Sequence, residues 1–192
     1  MTQKRLLAFL AHPDDESFGP GGTLAKYARE GVEVHIVIAT DGAAGSVVED
    51  YEEARSELAK VRKGELARAV EILDAKLYDF GYRDSGYKND PVHNDHPDAF
   101  INCDMDEAVC KMVGLLRLIR PQVVITHDET GGYFHPDHIH CHDIMVAALE
   151  AAADESYAGS DLEVYRPDRL YFTAIPNTFL KSSISAAISF VL

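Results

Sequence analysis

Residues Leu6-Leu7-Ala8-Phe9-Leu10 form an apolar run with no polar residue alternating through it. A strand that is apolar on both faces belongs inside a parallel sheet with helices packed on each side. The run ends at Ala11-His12-Pro13-Asp14-Asp15-Glu16, which sets imidazole and carboxylate groups at the carboxyl end of that strand. The same arrangement recurs far along the chain. Val123-Val124-Ile125 is apolar, and His135-Pro136-Asp137-His138 comes shortly after it.

The intervening residues alternate strand and helix signals. The reading gives a first strand over Arg5 to Ala11, with Gly19 to Gly22 as loop. A helix then runs from Thr23 through Tyr27 to Glu30, stopped by Gly31. Val32 to Ala39 is a second strand, closed by the turn residues Thr40-Asp41-Gly42. Residues 43–50 read as a surface loop. Tyr51 to Leu73 reads as a long helix with Leu58, Val61, Leu66, Val70 and Leu73 on one face, interrupted by Gly64. Lys76 to Phe80 is a third strand. Gly81 to Asp104 is rich in Asp, Asn, His, Pro and Gly, and loops of that length are functional or disordered. Met105 to Arg120 is a helix ended by Pro121, and Val123 to Thr126 a fourth strand. Asp137 to Ala153 is a helix and Leu170 to Ala174 a fifth strand.

This alternation predicts an α/β fold, a doubly wound, mostly parallel sheet with helices on both faces, in a single domain. Such sheets bind ligands outside the carboxyl ends of their strands, where the strand order reverses. Both polar clusters lie at carboxyl ends. If strands one and four are neighbours at the reversal, His12, Asp15 and His138 converge.

Two imidazoles and one carboxylate suit Zn²⁺ and leave a fourth position for water. Zinc lowers the pKa of that water toward ~7. Asp14, adjacent to a ligand but free, is the candidate base. His135, three residues before His138, is placed to stabilise an oxyanion and protonate a leaving nitrogen, with Asp137 expected to fix its tautomer and keep it cationic. His142 shares the helix face of His138 and is able to extend the site, although a helix-surface role is favoured for it and for His140. His93 and His96 read as solvated loop residues, and His35 as structural.

Bulk properties narrow the partners. The chain has 192 residues, 46% of them apolar, enough for a full core. Thirty-two acidic against 18 basic side chains give a formal charge of −14. That argues against nucleic acid or an anionic membrane as the main partner. The three cysteines, Cys103, Cys110 and Cys141, make no paired spacing, so reduced thiols and a cytoplasmic location are expected. The N-terminal apolar run falls short of the ~7–15 residues and cleavage site of a secretory signal.

The Ala-His-Pro-Asp-Asp-Glu and His-Pro-Asp-His motifs, in this order and context, resemble those of the LmbE-like, or PIG-L, family of zinc-dependent de-N-acetylases. Within it, Gly131-Gly132-Tyr133-Phe134-His135-Pro136-Asp137-His138 is similar to the mycothiol branch. That branch contains the N-acetylglucosaminyl-inositol deacetylase and the mycothiol S-conjugate amidase. Val61-Arg62-Lys63-Gly64-Glu65-Leu66, Arg83-Asp84-Ser85-Gly86 and Pro167-Asp168-Arg169-Leu170-Tyr171-Phe172 are similar to it as well. The resemblance covers about Arg5 to Leu180, so residues 1–180 are taken as the domain and 181–192 as a short apolar tail.

By that resemblance His12, Asp15 and His138 are the zinc ligands, with Fe²⁺ the alternative metal, and Asp14 is the base. His135 stabilises the oxyanion, Asp137 supports it, and Tyr133 assists at the amide carbonyl. Arg62 and Asp84 match positions that contact the sugar or its aglycone. The fold implied is Rossmann-like, yet no G-x-G-x-x-G is present, which argues against nicotinamide binding. Enzymes of the branch continue well past the fifth strand, whereas this chain stops at Leu192; its last residues are expected to be a capping helix, an oligomer contact or a truncated remnant. The activity implied is removal of acetyl from an N-acetylated amino sugar, an N-acetylglucosamine glycoside. One alternative is an amidase acting on a thiol-conjugate cysteinyl-glucosamine. Another is a non-catalytic zinc-binding domain, against which Asp14 and His135 argue, since metal binding alone needs only the three ligands.

Overall fold

The computed structural model describes residues 3–47 and 56–175. Its strands are β1 (Arg5–Leu10), β2 (Glu33–Thr40), β3 (Ala75–Tyr82), β4 (Val123–His127) and β5 (Arg169–Thr173). They form one five-stranded sheet in the order β3-β2-β1-β4-β5. Every neighbouring pair is parallel. The order reverses between β1 and β4, which meets the condition for His12, Asp15 and His138 to converge.

Helices α1 (Asp15–Phe18), α2 (Gly21–Arg29), α3 (Leu58–Ile72), α4 (Pro91–Asn94), α5 (Met105–Ile119), α6 (Gly131–Phe134) and α7 (Pro136–Ala152) connect the strands. The apolar runs fill both sheet faces because alternate side chains of a strand point opposite ways. Leu7 and Phe9 join Met112, Leu116, Ile144 and Met145 on the α5 and α7 side. Leu6, Ala8 and Leu10 join Leu24, Leu66 and Val70 on the α2 and α3 side. Phe9 is fully buried, and truncating such a residue to alanine costs about 3–5 kcal/mol.

Several boundaries differ from the sequence reading. Gly19 to Gly22 is not all loop: α2 starts at Gly21, and a further helical turn, α1, follows the first motif directly. The third strand runs on to Tyr82. Residues 48–50 of the expected loop and 51–55 of the expected long helix lie outside the described residues, and Val61 is exposed where the reading buries it. The segment after β3 is built rather than loose. Phe100 is fully buried within it. Asn94 Nδ2 donates to the Ser85 carbonyl at 2.6 Å, and Asn102 Nδ2 donates to the Asn94 carbonyl at 2.7 Å. A polar composition hid this because amide side chains hold the segment alongside the single large apolar anchor Phe100. The 181–192 tail lies outside the described residues. Among the described residues no helix is long and apolar enough to cross a membrane.

Candidate metal centre and active site

β1 delivers His12 and α1 begins at Asp15, while α7 carries His138 from across the reversal. His12 Nδ1 and His138 Nε2 lie 3.2 Å apart. Asp15 Oδ2 is 3.6 Å from the first nitrogen and 3.4 Å from the second. Donor atoms each about 2.0–2.1 Å from one tetrahedral ion stand about 3.3 Å from one another. The triangle therefore fits a divalent metal ion.

The surrounding hydrogen bonds point both free nitrogens inward. His138 Nδ1 donates to the Gly131 carbonyl at 3.1 Å, leaving Nε2 with its lone pair. His12 Nε2 donates to Asp137 Oδ2 at 3.0 Å, leaving Nδ1 for the centre. Ser85 N–H reaches the same Asp137 oxygen at 3.1 Å, and the other oxygen, buried, has no partner among the described residues. Gly131 is needed here: its φ is +62°, and a Cβ would lie 2.8 Å from the His138 Cβ. Burial opposes charge on Asp15, but the adjoining His12 and His127 imidazoles hold its carboxyl well below the usual range. Burial pulls His138 down to about 3, which keeps it a free base.

Asp14 is half-exposed at the rim, with backbone φ at 137°, a conformation L-residues rarely adopt. Arg62 pins it: Nη2 meets Asp14 Oδ2 at 2.5 Å and the Pro13 carbonyl, and Nη1 donates to the Gly42 carbonyl at 2.8 Å. Gly42 allows that approach, since a Cβ there would lie 2.5 Å from Nη1. Burial pushes Asp14 up to about 6, against the pull of Arg62.

Three expectations need correction. Asp137 does not hold the His135 ring. Its carboxylate is committed to His12, while its backbone N–H donates to His135 Nδ1 at 3.2 Å because His135 caps α7. Nor is His135 cationic, as burial and the adjacent His12 take it down to about 4. With Nδ1 accepting, the proton sits on Nε2, and the ring is a neutral donor. Asp84, expected to contact the sugar or its aglycone, is buried. It accepts from Gly86 N–H at 2.8 Å and Ala44 N–H at 3.1 Å, with one oxygen 3.6 Å from His12 Nε2. Arg62 likewise spends its guanidinium on Asp14 and two carbonyls.

Tyr133 is 47% exposed, so its ring is available at the rim. Burial raises its phenol to about 12, so it keeps its proton. Tyr87, unremarked in the sequence, stacks on Tyr133 at 6.2 Å and donates its hydroxyl to the Tyr133 carbonyl at 3.1 Å. His127 was also missed; it ends β4 beside Asp15 and His138. Its only signal was its place at the carboxyl end of a strand beside the reversal. His142 neither ligates nor stands free, since its Nδ1 donates to the His127 carbonyl at 3.0 Å. His140 lies against Phe100, with Cys103 Sγ 3.4 Å from its Nε2. A cleft of about 1060 Å³ opens on Asp15, His127, His138 and Tyr133 and is lined further by Phe18 and Tyr171.

Fold and site together define an α/β protein with a two-histidine, one-carboxylate centre at its topological reversal. Residues 7–149 match the family described as PIG-L: GlcNAc-PI de-N-acetylase, and the chain belongs to that family. It is 41% identical over 193 residues to a 1D-myo-inositol 2-acetamido-2-deoxy-alpha-D-glucopyranoside deacetylase from Geodermatophilus obscurus. That match takes in 95% of this chain and 65% of the relative, so the chain spans just under two thirds of the relative's length. Among solved structures it is similar to an N,N'-diacetylchitobiose deacetylase from Pyrococcus horikoshii, with a TM-score of 0.71 and 23% identity over 95% of this chain and 68% of that one. It is also similar to a 4-carboxy-2-hydroxymuconate hydratase from Pseudomonas putida KT2440, with a TM-score of 0.69 and 22% identity over 88% of this chain and 64% of that one. The two structural likenesses establish the fold, and different chemistries share it, so function must be argued from the site.

Proposed function

We propose that this chain carries the catalytic centre of a zinc-dependent amidohydrolase that removes acetyl from an N-acetylated amino sugar, an N-acetylglucosamine glycoside. The observation that carries the reading is the triangle of His12 Nδ1, Asp15 Oδ2 and His138 Nε2, with its lone pairs directed inward by Asp137 and Gly131. The deacetylase name of the Geodermatophilus relative supports the substrate class. Zinc supplies Lewis acidity and an activated water at such a centre, and Fe²⁺ suits the same donors.

The protein's own groups divide the remaining work. Asp14 accepts a proton from the attacking water, and its raised pKa suits it to return that proton to the leaving nitrogen. His135, neutral with Nε2–H, donates a hydrogen bond to the oxygen on which negative charge develops. Tyr133, protonated and at the rim, offers a second donor. Arg62 fixes Asp14, and Asp137 and Asp84 flank the outer nitrogen of His12.

The reading is tested by offering the purified chain an N-acetylglucosaminyl-inositol glycoside, free N-acetylglucosamine and an S-conjugated cysteinyl-glucosamine amide, with zinc and with a chelator. Zinc-dependent release of amine from the glycoside is expected. Release only from the cysteinyl amide would reassign the substrate, and no release from any substrate by metal-loaded protein would overturn the proposal.

A further inference from the structure

His127 ends β4 and is 5% exposed. Its ring lies almost parallel to that of His138, with centroids 3.8 Å apart and planes 20° apart. Its Nε2 stands 3.5 Å from Asp15 Oδ2 and accepts the Ala11 N–H at 3.3 Å. Its backbone is pinned twice, by the His142 Nδ1 bond to its carbonyl and by parallel pairing with Thr173 of β5. One side chain thus touches two of the three proposed ligands.

Closeness alone would make His127 a further ligand with Asp15 and His138. The ring geometry excludes that. An imidazole donates its lone pair in its own plane, and a metal in the plane of His138 lies well out of the nearly parallel plane of His127. The two rings are stacked as neighbours and do not converge on one point.

We propose that His127 is a positioning residue for the metal centre: its ring, held by the Ala11 N–H on Nε2, fixes the face of His138. Gly131 holds His138 by one nitrogen only, which leaves the ring free to swing about that bond unless something covers its face. Asp15 is held by the backbone N–H of His12 at 2.9 Å on its Oδ2, so the role of His127 is toward the His138 ring. The inference rests on the metal-dependent reading above and concerns how tightly the ion is held.

The test uses the full chain as wild type, His127→Ala and His127→Phe, the last keeping a flat ring without the nitrogen. Zn²⁺ affinity is measured by competition with a chromophoric chelator, Co²⁺ absorption reports coordination, and metal-free melting reports the fold. His127→Ala is expected to bind Zn²⁺ about 10–100-fold more weakly, with His127→Phe between it and wild type. Both should keep the wild-type Co²⁺ spectrum, because no ligand is lost. Wild-type affinity in His127→Ala would overturn the inference. So would a Co²⁺ spectrum showing a lost ligand in either variant. If His127→Ala does not fold, His127→Phe decides alone: weaker Zn²⁺ binding with an unchanged spectrum supports the inference, and unchanged binding overturns it. Failure of the wild-type chain to bind either ion would instead defeat the metal-dependent reading itself.

Discussion

Asp137 Oδ2 stands 3.0 Å from His12 Nε2, so the carboxylate of the second motif orients the imidazole of the first. His135, two residues before Asp137, takes no bond from that carboxylate. The two residues should therefore separate in experiment. Asp137→Asn should weaken metal binding about 10–100-fold. His135→Gln should keep the metal and lose about 10²–10³ in kcat, the scale of one oxyanion donor. Metal analysis of both variants checks this, and metal loss in His135→Gln would contradict it.

His12→Ala, Asp15→Ala and His138→Ala should each lose most of the bound ion, since each removes one corner of the donor triangle. Metal content after dialysis is the readout. Near-full occupancy in all three would dismiss the ligand assignment.

Asp14→Asn keeps the size of the side chain and removes its capacity to accept a proton. Metal content should stay at the wild-type level while kcat falls about 10²–10⁴-fold. Full activity with full metal would show that another group is the base. Lost metal would make Asp14 a ligand or the support of one.

Arg62→Ala should cut kcat/KM by roughly 10–100-fold, the equivalent of a charged hydrogen bond worth ~1.5–3 kcal/mol. Because Arg62 holds Asp14 and the Pro13 carbonyl, the loss should be similar on a glycoside and on free N-acetylglucosamine. A markedly larger loss on the glycoside would point to direct contact with the aglycone.

His35 bears on stability and lies apart from the centre. It is buried against Tyr78, whose hydroxyl is 3.2 Å from Nδ1. Burial lowers its pKa below the ordinary 6.5, with Lys76 and Arg5 adding to the shift and Glu33 opposing it. Between the lowered folded value and 6.5 the unfolded chain binds more protons, so stability falls as the pH drops through that window. His35→Phe should flatten the decline. Urea midpoints from pH 7 to pH 5 measure it, and identical slopes for variant and wild type would refute it.

The parallel sheet was legible because Leu6 to Leu10 and Val123 to Ile125 carry no alternation, which burial on both faces explains; the place where its order reverses was not, because strand order depends on contacts between distant segments. The three proposed ligands were legible because each lies in a compact motif, His12 and Asp15 just past the end of β1 and His138 in the first turn of α7. Partner choice was not. Spacing joins His135 to Asp137, but His135 sits at the cap, outside the helical repeat, so its side chain takes a backbone N–H instead. His127 belongs to no motif and becomes visible only when β4 is placed beside β1. The family resemblance makes Asp84 a sugar contact, and no sequence pattern reveals that backbone amides occupy both its oxygens.

His12 and His138 meet at 3.2 Å across 126 residues of sequence. An ion held between them is a cross-link tying the first strand to the helix that follows the fourth. Because that cross-link exists only in the native chain, free metal at about 100 times its Kd adds ~2.7 kcal/mol to folding stability. During synthesis the first motif emerges long before its counterpart. Until β4 docks against β1, the growing chain displays a histidine and a carboxylate with no third donor, and the centre closes only after a loop of 126 residues has been closed.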